Sequence, residues 1–185
     1  MSAPLKERFW LYKIRTSRDA EAYASIYDRY VAQIYRFVLF KVGDAEAAKE
    51  LTADSFMKAW EYLTAQAGLP AGRQVKSVSG LLYTIARATI ADFYRKKKLE
   101  MVPLDQAPEA IDLHSLGRAE QNEELAATLS AMKGLKDEYR EALFMKHIDG
   151  LTNSEIASAL GKNSGTVRVL IHRATQALKE VVERN

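Results

Sequence analysis

The amino-acid sequence predicts an all-α protein made of two small helical domains joined by a flexible acidic linker. Apolar residues recur at three- and four-residue spacing along most of the chain, and no stretch alternates apolar with polar residues as a half-buried strand does. Only four prolines interrupt the 185 residues. The aromatic residues are concentrated in the first half, with Tyr139 and Phe144 as exceptions, which indicates two differently built cores. We place the domains at 1–98 and 123–185, with the linker at 99–122.

Composition excludes several classes of function. The chain has no cysteine, so disulfides, thiolate metal ligands and a cysteine nucleophile are excluded. The three histidines lack the spacing of a metal site, and we expect neither a metal nor a cofactor. No apolar run approaches the roughly 20 residues that span a bilayer, and the N-terminus lacks a secretory signal, so we expect a cytoplasmic protein without membrane insertion. A P-loop and a G-x-S-x-G motif are also missing, which argues against an enzyme.

The first domain is expected to contain three long amphipathic helices. The first follows Asp19, a plausible N-cap, and stops before Gly43; the others span about 44–64 and 78–98. The segment FWLYKI near the N-terminus is apolar enough to dock onto them.

Basic residues cluster around the third of these helices. The loop before it, rich in glycine and serine, carries Arg73 and Lys76, and the helix itself ends in YRKKK. Its polar face also offers Tyr83, Arg87 and Asp92. The helix macrodipole favours cations at a C-terminus, but four consecutive cations exceed that need, and together with the aromatics they favour nucleic-acid binding over a merely solvated face.

Between the two domains the sequence changes from basic to acidic. Residues 99–124 contain seven acidic side chains against one cation, Arg118, together with Pro103 and Pro108. This composition is typical of a flexible tether, which can be inert or can shield the basic faces.

Two helices then follow, at 125–132 and 137–148. Their apolar residues are expected to pack under the segment that comes next: Leu125, Leu129, Met132, Leu135, Leu143, Phe144 and Ile148.

The segment 152–178 carries the pattern of a helix-turn-helix. Asn153 or Ser154 is expected to cap a short helix that ends at Gly161, and Ser164 to cap the next helix. Two short helices joined by a tight, glycine-containing turn are typical of DNA-binding proteins, although an ordinary helical hairpin has the same outline. The second helix presents hydrogen-bond donors suited to base edges and phosphates: Ser164, Thr166, Arg168, His172 and Arg173.

Four blocks of sequence, in this order and spacing, resemble bacterial RNA polymerase sigma factors of the extracytoplasmic-function (ECF) group. They are YDRYVAQIYRF, ELTADSFMKAW, LLYTIARATIADFYRKKK and GLTNSEIASALGKNSGTVRVLIHRA. The resemblance covers about residues 19–98 and 123–181. It implies that the first domain is sigma region 2 and the second is sigma region 4, and that the protein binds core RNA polymerase and promoter DNA.

The resemblance also implies roles for individual residues. Helix 45–64 would dock on core polymerase through Glu50 and Asp54, with Phe56 and Trp60 packed beneath them. The −10 promoter element would be recognised and melted by a set drawn from the loop and the following helix: Arg73, Lys76, Tyr83, Arg87, Asp92, Arg95 and Lys96. Helix 164–177 would enter the major groove of the −35 element through Ser164, Thr166, Arg168, His172 and Arg173. An anti-sigma factor is an expected partner.

Some residues depart from the family pattern, and alternatives stay open. The family often has Gln at the position of Ala53 and Trp at the position of Leu81. It often has Asn at the position of Ala88 and Arg at the position of Leu170. A sigma-like adaptor that binds polymerase without initiating transcription is therefore one alternative. A stand-alone helix-turn-helix regulator, which usually binds palindromes as a dimer, is another.

Overall fold

The computed structural model describes residues 3–67, 75, 77–100 and 123–184, and the regular secondary structure within these ranges is entirely helical. The helices are α1 (Ala3–Ser17), α2 (Ala20–Val42), α3 (Ala45–Thr64), α4 (Val78–Glu100), α5 (Glu123–Met132), α6 (Asp137–Leu143), α7 (Asn153–Leu160) and α8 (Ser164–Arg184), with a π-helical segment at Phe144–Ile148. We call α1–α4 the N-terminal bundle and α5–α8 the C-terminal bundle. The all-α prediction is confirmed. Arg73, Lys76 and most of the acidic linker lie outside the described residues.

The helix ends of the N-terminal bundle follow from local chemistry. The carboxylate of Asp19 accepts a hydrogen bond from the backbone N–H of Ala22 at 2.7 Å, and Asp44 does the same for Ala47 at 2.7 Å. Each carboxylate satisfies an N–H that has no partner within its own helix. Gly43 ends α2 with φ of 73°, a left-handed conformation that glycine adopts without steric cost. The predictions of Asp19 as a cap and Gly43 as a stop are confirmed.

The N-terminal residues form a helix that docks on the bundle, as the sequence indicated. Leu11 and Ile14 of α1 are buried against α2 and α3. The phenol of Tyr30 donates to Glu7 at 2.7 Å, and the guanidinium of Arg15 donates to the carbonyl of Val75 at 2.9 Å. The first contact ties α1 to α2, and the second ties it to the segment before α4.

The helix-turn-helix is present, but both of its N-caps differ from the predictions. Thr152, rather than Asn153 or Ser154, caps α7 in a capping box, because its hydroxyl accepts from the N–H of Glu155 and the Glu155 carboxylate accepts from the N–H of Thr152. Likewise Asn163, rather than Ser164, accepts the N–H of Thr166 at 2.8 Å. Each helix thus begins one or two residues earlier than expected. Gly161, with φ of 63°, ends α7 as predicted.

The helix predicted at 137–148 is not a single α-helix. From Phe144 to Ile148 it widens into a π-helical segment, in which the N–H of Asp149 bonds to the carbonyl of Phe144 five residues earlier. Gly150 then turns the chain with φ of 68°. These two features bring the side chain of Asp149 towards the N-terminal bundle.

The two bundles pack against each other along α4 and α7 and along α2 and the π-helical segment. The ring of Phe144, which belongs to the same buried cluster as residues of the helix-turn-helix, also stacks on Phe40 with centroids 4.3 Å apart and lies 6.0 Å from Phe37. Phe144 is completely buried in this position. The apolar core therefore continues from one bundle into the other. No helix in the described ranges has both the length and the apolar character needed to cross a bilayer.

Candidate nucleic-acid interface

The outer face of α8 gathers the five residues predicted to read duplex DNA. Ser164, Thr166, Arg168, His172 and Arg173 are all exposed. The opposite face of the helix buries three apolar residues, Val167, Leu170 and Ala174. Because a helix repeats every 3.6 residues, this division leaves one exposed face within the first three turns, which also carries the apolar residue Val169 at 49% exposure. That face offers both charged and neutral hydrogen-bond donors, the combination that contacts phosphates and base edges.

The packing of α7 holds this face in place. Ile156 and Ala157 are buried between α7 and the rest of the bundle, and Val167 is completely buried where α8 begins. The N–H of Lys162 bonds back to the carbonyl of Ala157 at 2.9 Å and closes the turn between the helices. The small side chain of Ala157 lets the two helices approach closely.

The C-terminal half of α4 carries a second cationic surface. Arg95, Lys96 and Lys97 are exposed, and Arg95 keeps 70% of its side chain accessible while it pairs with Asp92 at 3.0 Å. Such an exposed pair contributes little to stability, so the guanidinium can exchange the carboxylate for a phosphate at small cost. Of the seven residues predicted for the −10 element, Asp92, Arg95 and Lys96 therefore share one accessible surface.

Tyr83 does not lie on that surface, and the prediction that it belongs to an exposed polar face is wrong for this conformation. Its ring is completely buried, 5.0 Å from the ring of Phe37, and its hydroxyl donates to the carboxylate of Asp149. Burial, and the negative charge of Asp149, raise the pKa of Tyr83 far above its ordinary value. The phenol stays neutral and acts as a donor.

Arg87 is also engaged by the C-terminal bundle. Its Nε donates to the buried carboxylate of Glu141 at 2.8 Å, and its Nη1 donates to the carbonyl of Ala159 at 3.2 Å. The structure thus divides the predicted −10 residues on α4 into an exposed group near its end and two residues in its middle, the buried Tyr83 and the partly exposed Arg87, that contact the C-terminal bundle.

The exposed face of α3 presents the acidic residues predicted to contact polymerase. Glu50 and Asp54 are exposed. Phe56 is buried and Trp60 partly buried beneath them, in edge-to-face contact with Tyr27 at 4.8 Å and Tyr23 at 5.0 Å respectively. These two aromatic pairs fasten α3 to α2, so the acidic residues sit on a rigid helix.

Sequence reasoning missed several residues near these surfaces. Met57 lies three residues after Asp54 and is 63% exposed. Its spacing from Asp54 was enough to predict that both residues lie on the same face of α3. Asp149, Arg36 and Glu141 join the two bundles, and no local pattern distinguishes them from solvated charges. Among the described residues, no three His, Asp or Glu side chains come close enough together to hold a metal ion.

Comparison with known proteins shows which family the chain resembles. Residues 125–178 match the family described as "Sigma-70, region 4". The ECF RNA polymerase sigma factor BldN of Streptomyces coelicolor is 26% identical over 174 residues, which cover 89% of this chain and 61% of BldN. The RNA polymerase sigma-E factor of Streptomyces antibioticus is 36% identical over 95 residues, 51% of each chain. The chain is similar to ECF RNA polymerase sigma factors.

The similarity in fold extends over nearly the whole chain. The solved structure of CnrH, in complex with the cytosolic domain of CnrY, superposes with a TM-score of 0.67 over 97% of this chain and 99% of CnrH. At 19% identity this similarity shows the fold alone. The chain aligns with only part of each Streptomyces relative, namely 61% of the length of BldN and 51% of the length of the sigma-E factor. The five exposed residues of α8 that were predicted to read DNA lie within residues 125–178, the part that matches region 4.

Proposed function

We propose that the protein is a sigma subunit that binds bacterial core RNA polymerase and directs it to promoters. The observation that carries the proposal is the face of α8, where Ser164, Thr166, Arg168, His172 and Arg173 stand exposed inside the region 4 match. In this proposal α8 enters the major groove of the −35 element, and 123–185 is sigma region 4. The linker at 99–122 connects it to sigma region 2 at 1–98.

The N-terminal bundle supplies the other two contacts. Glu50 and Asp54 on α3 meet a basic surface of core polymerase, with Phe56 and Trp60 holding the helix in place. Arg95 and Lys96 follow the DNA backbone near the −10 element, with Arg73 and Lys76 added from the preceding loop. Tyr83, Arg87 and Asp92 complete the set that captures unpaired bases.

The chemistry of this function is binding rather than catalysis. Stacking a base on an aromatic ring contributes roughly 1–3 kcal/mol, which is comparable to the few kcal/mol that unstacking a step costs. Capturing separated bases can therefore favour melting without an energy source. Core polymerase makes the RNA, and the sigma subunit needs no cofactor. It works in the cytoplasm, and an anti-sigma factor is its expected inhibitor.

The test is transcription in vitro with the purified chain, bacterial core polymerase and a library of randomised promoter DNA. Transcripts that start at a fixed distance from a shared two-part motif are the expected result. Co-elution with core polymerase without specific transcripts would indicate the sigma-like adaptor. A dimer that binds a palindrome, with neither transcripts nor co-elution, would indicate a stand-alone regulator.

A further inference from the structure

One side chain on the exposed face of α8 is large and apolar. Val169 lies in the second turn of the helix and is 49% exposed. A single exposed valine is ordinary on a protein surface. This valine, however, lies among the residues predicted to read duplex DNA, where every other assigned side chain offers a hydrogen-bonding group.

Val169 belongs to the row of residues that points away from the core. Gly165, Val169, His172 and Gln176 follow one another at spacings of three or four residues, so they lie in one row along α8, and all four are exposed. The opposite side of the helix is formed by the buried residues Val167, Leu170 and Ala174. If α8 lies in a major groove with its buried side held by the rest of the C-terminal bundle, the outward row meets the base edges.

The neighbours of Val169 suit a close approach to DNA. Gly165, one turn earlier in the row, has no side chain, so a base edge can come near the valine from that direction. Arg168 and Arg173 lie on the two sides of the row and are exposed. Long cationic side chains in such positions contact the phosphates that border the groove and set the position of the helix. Val169 is then left facing the bases.

The chemistry of valine selects one kind of base edge. The major-groove edge of a base pair carries hydrogen-bond donors and acceptors, and thymine adds an apolar C5-methyl group. Valine opposite a donor or acceptor would remove it from water without giving it a partner, which costs free energy. We propose that Val169 is a specificity-determining residue that contacts the methyl group of a thymine in the −35 element. This assignment rests on the proposed function, since it concerns the same DNA-reading face.

Deoxyuridine provides a direct test, because it lacks only the methyl group of thymine and keeps the same hydrogen-bonding groups. Each thymine in the upstream motif of a promoter selected from the library, on either strand, is replaced in turn by deoxyuridine. The complex of the chain with core polymerase is then titrated onto each DNA. We expect the replacement at one position to raise the concentration for half-maximal binding about fourfold, the factor that burial of one methyl group gives.

Variants of the chain then connect that methyl group to Val169. In Val169→Ala the same deoxyuridine replacement should have no further effect, because the apolar contact is already lost. Alanine at this exposed position favours the helix, so the variant should fold. Val182→Ala is the matched control, since Val182 is 59% exposed on α8 but lies beyond the matched residues 125–178, and it should keep the full sensitivity to deoxyuridine. Library selection with Val169→Ala should relax the preference for thymine at that position alone.

Several results would overturn the assignment. They are an upstream motif without a thymine on either strand, a wild-type chain insensitive to every deoxyuridine, and a deoxyuridine effect that is equal in Val169→Ala and the wild type. Val169→Ala that weakens binding to core polymerase instead would make Val169 a protein contact. All of these results leave the proposed function intact. A wild-type chain that yields no specific transcript and does not co-elute with core refutes the proposed function itself, and the assignment with it.

Discussion

The phenol of Tyr83 donates its hydrogen bond to the carboxylate of Asp149, which joins the middle of α4 to the loop before the helix-turn-helix. The two residues are 66 positions apart and belong to different bundles. A residue that the sequence assigns to strand capture is therefore part of the contact between the bundles. The predictions below separate surfaces that are accessible in this state from those that are covered.

We predict that Arg168→Ala weakens binding to duplex carrying the −35 motif by about 1–3 kcal/mol, because a guanidinium in the major groove contacts base edges or phosphates. Fluorescence anisotropy on labelled duplex measures the change. Lys179→Ala, an exposed cation further along α8, is the control. Affinity for core polymerase should be unaffected, and an equal loss of both affinities would contradict the assignment.

A charge reversal tests the polymerase surface on α3. Asp54→Lys should weaken binding to core polymerase roughly tenfold or more, which corresponds to about 1.4 kcal/mol, because a lysine opposes the basic partner. Glu46→Lys is the matched control, since Glu46 is equally acidic and exposed but lies at the start of the helix. Equal effects of the two substitutions, measured by competition for core, would mean that the contact is not local to Asp54.

Arg95→Ala tests strand separation without disturbing the contact between the bundles. We expect open-complex formation to fall about tenfold, or ~1.4 kcal/mol, while closed-complex binding changes little. Permanganate footprints report the melted thymines, and gel shift reports closed binding. Arg87→Ala is a less direct test of strand separation, since the Arg87 side chain also pairs with Glu141 and its loss would disturb the contact between the bundles. Wild-type footprints in Arg95→Ala would refute the role.

The capping box of α7 gives a prediction for stability. Thr152→Ala should lower the free energy of unfolding by about 0.5–2 kcal/mol, because the N–H of Glu155 loses its acceptor. Thr152→Ser should retain most of that stability. Ser154→Ala, at an exposed helical position, should change little. Urea denaturation followed by circular dichroism distinguishes Thr152 from Ser154 as the cap, and a larger effect of Ser154→Ala would show that the cap is wrongly placed.

Glu155 should make stability depend on pH in the acid range. Burial acts to raise its pKa, but hydrogen bonds from Thr152 and Ser79 outweigh burial and leave the pKa lowered. The unfolded state therefore binds the proton more readily, so this contribution is complete above the ordinary glutamate pKa of about 4.3 and disappears as pH falls through the lowered value. Urea midpoints measured from pH ~6 down to ~3 should fall less steeply in Glu155→Gln. If the urea midpoints of Glu155→Gln and of the wild type fall equally with pH, Glu155 is excluded as the source of this pH dependence.

Local sequence patterns were sufficient to predict the helices and the surfaces that depend on helical spacing alone. Periodicity predicted α2, α3 and α4, and the exposed face of α8 followed from the same spacing. The positions of Asp19, Gly43 and Gly161 were also predictable, because each acts through its own backbone or its nearest neighbours. The caps at Thr152 and Asn163 were missed by one or two residues, since adjacent polar side chains compete for the same backbone groups.

The contacts between the two bundles could not be predicted from local sequence patterns. We assigned Tyr83 to the polar face of α4, yet it is buried because Phe37 and Asp149, which come from elsewhere in the chain, contact it. The stacking of Phe144 on Phe40 of α2 is a second contact between distant parts of the chain. The packing of one bundle on another depends on groups more than 50 residues apart, and local propensity carries no information about such distant partners.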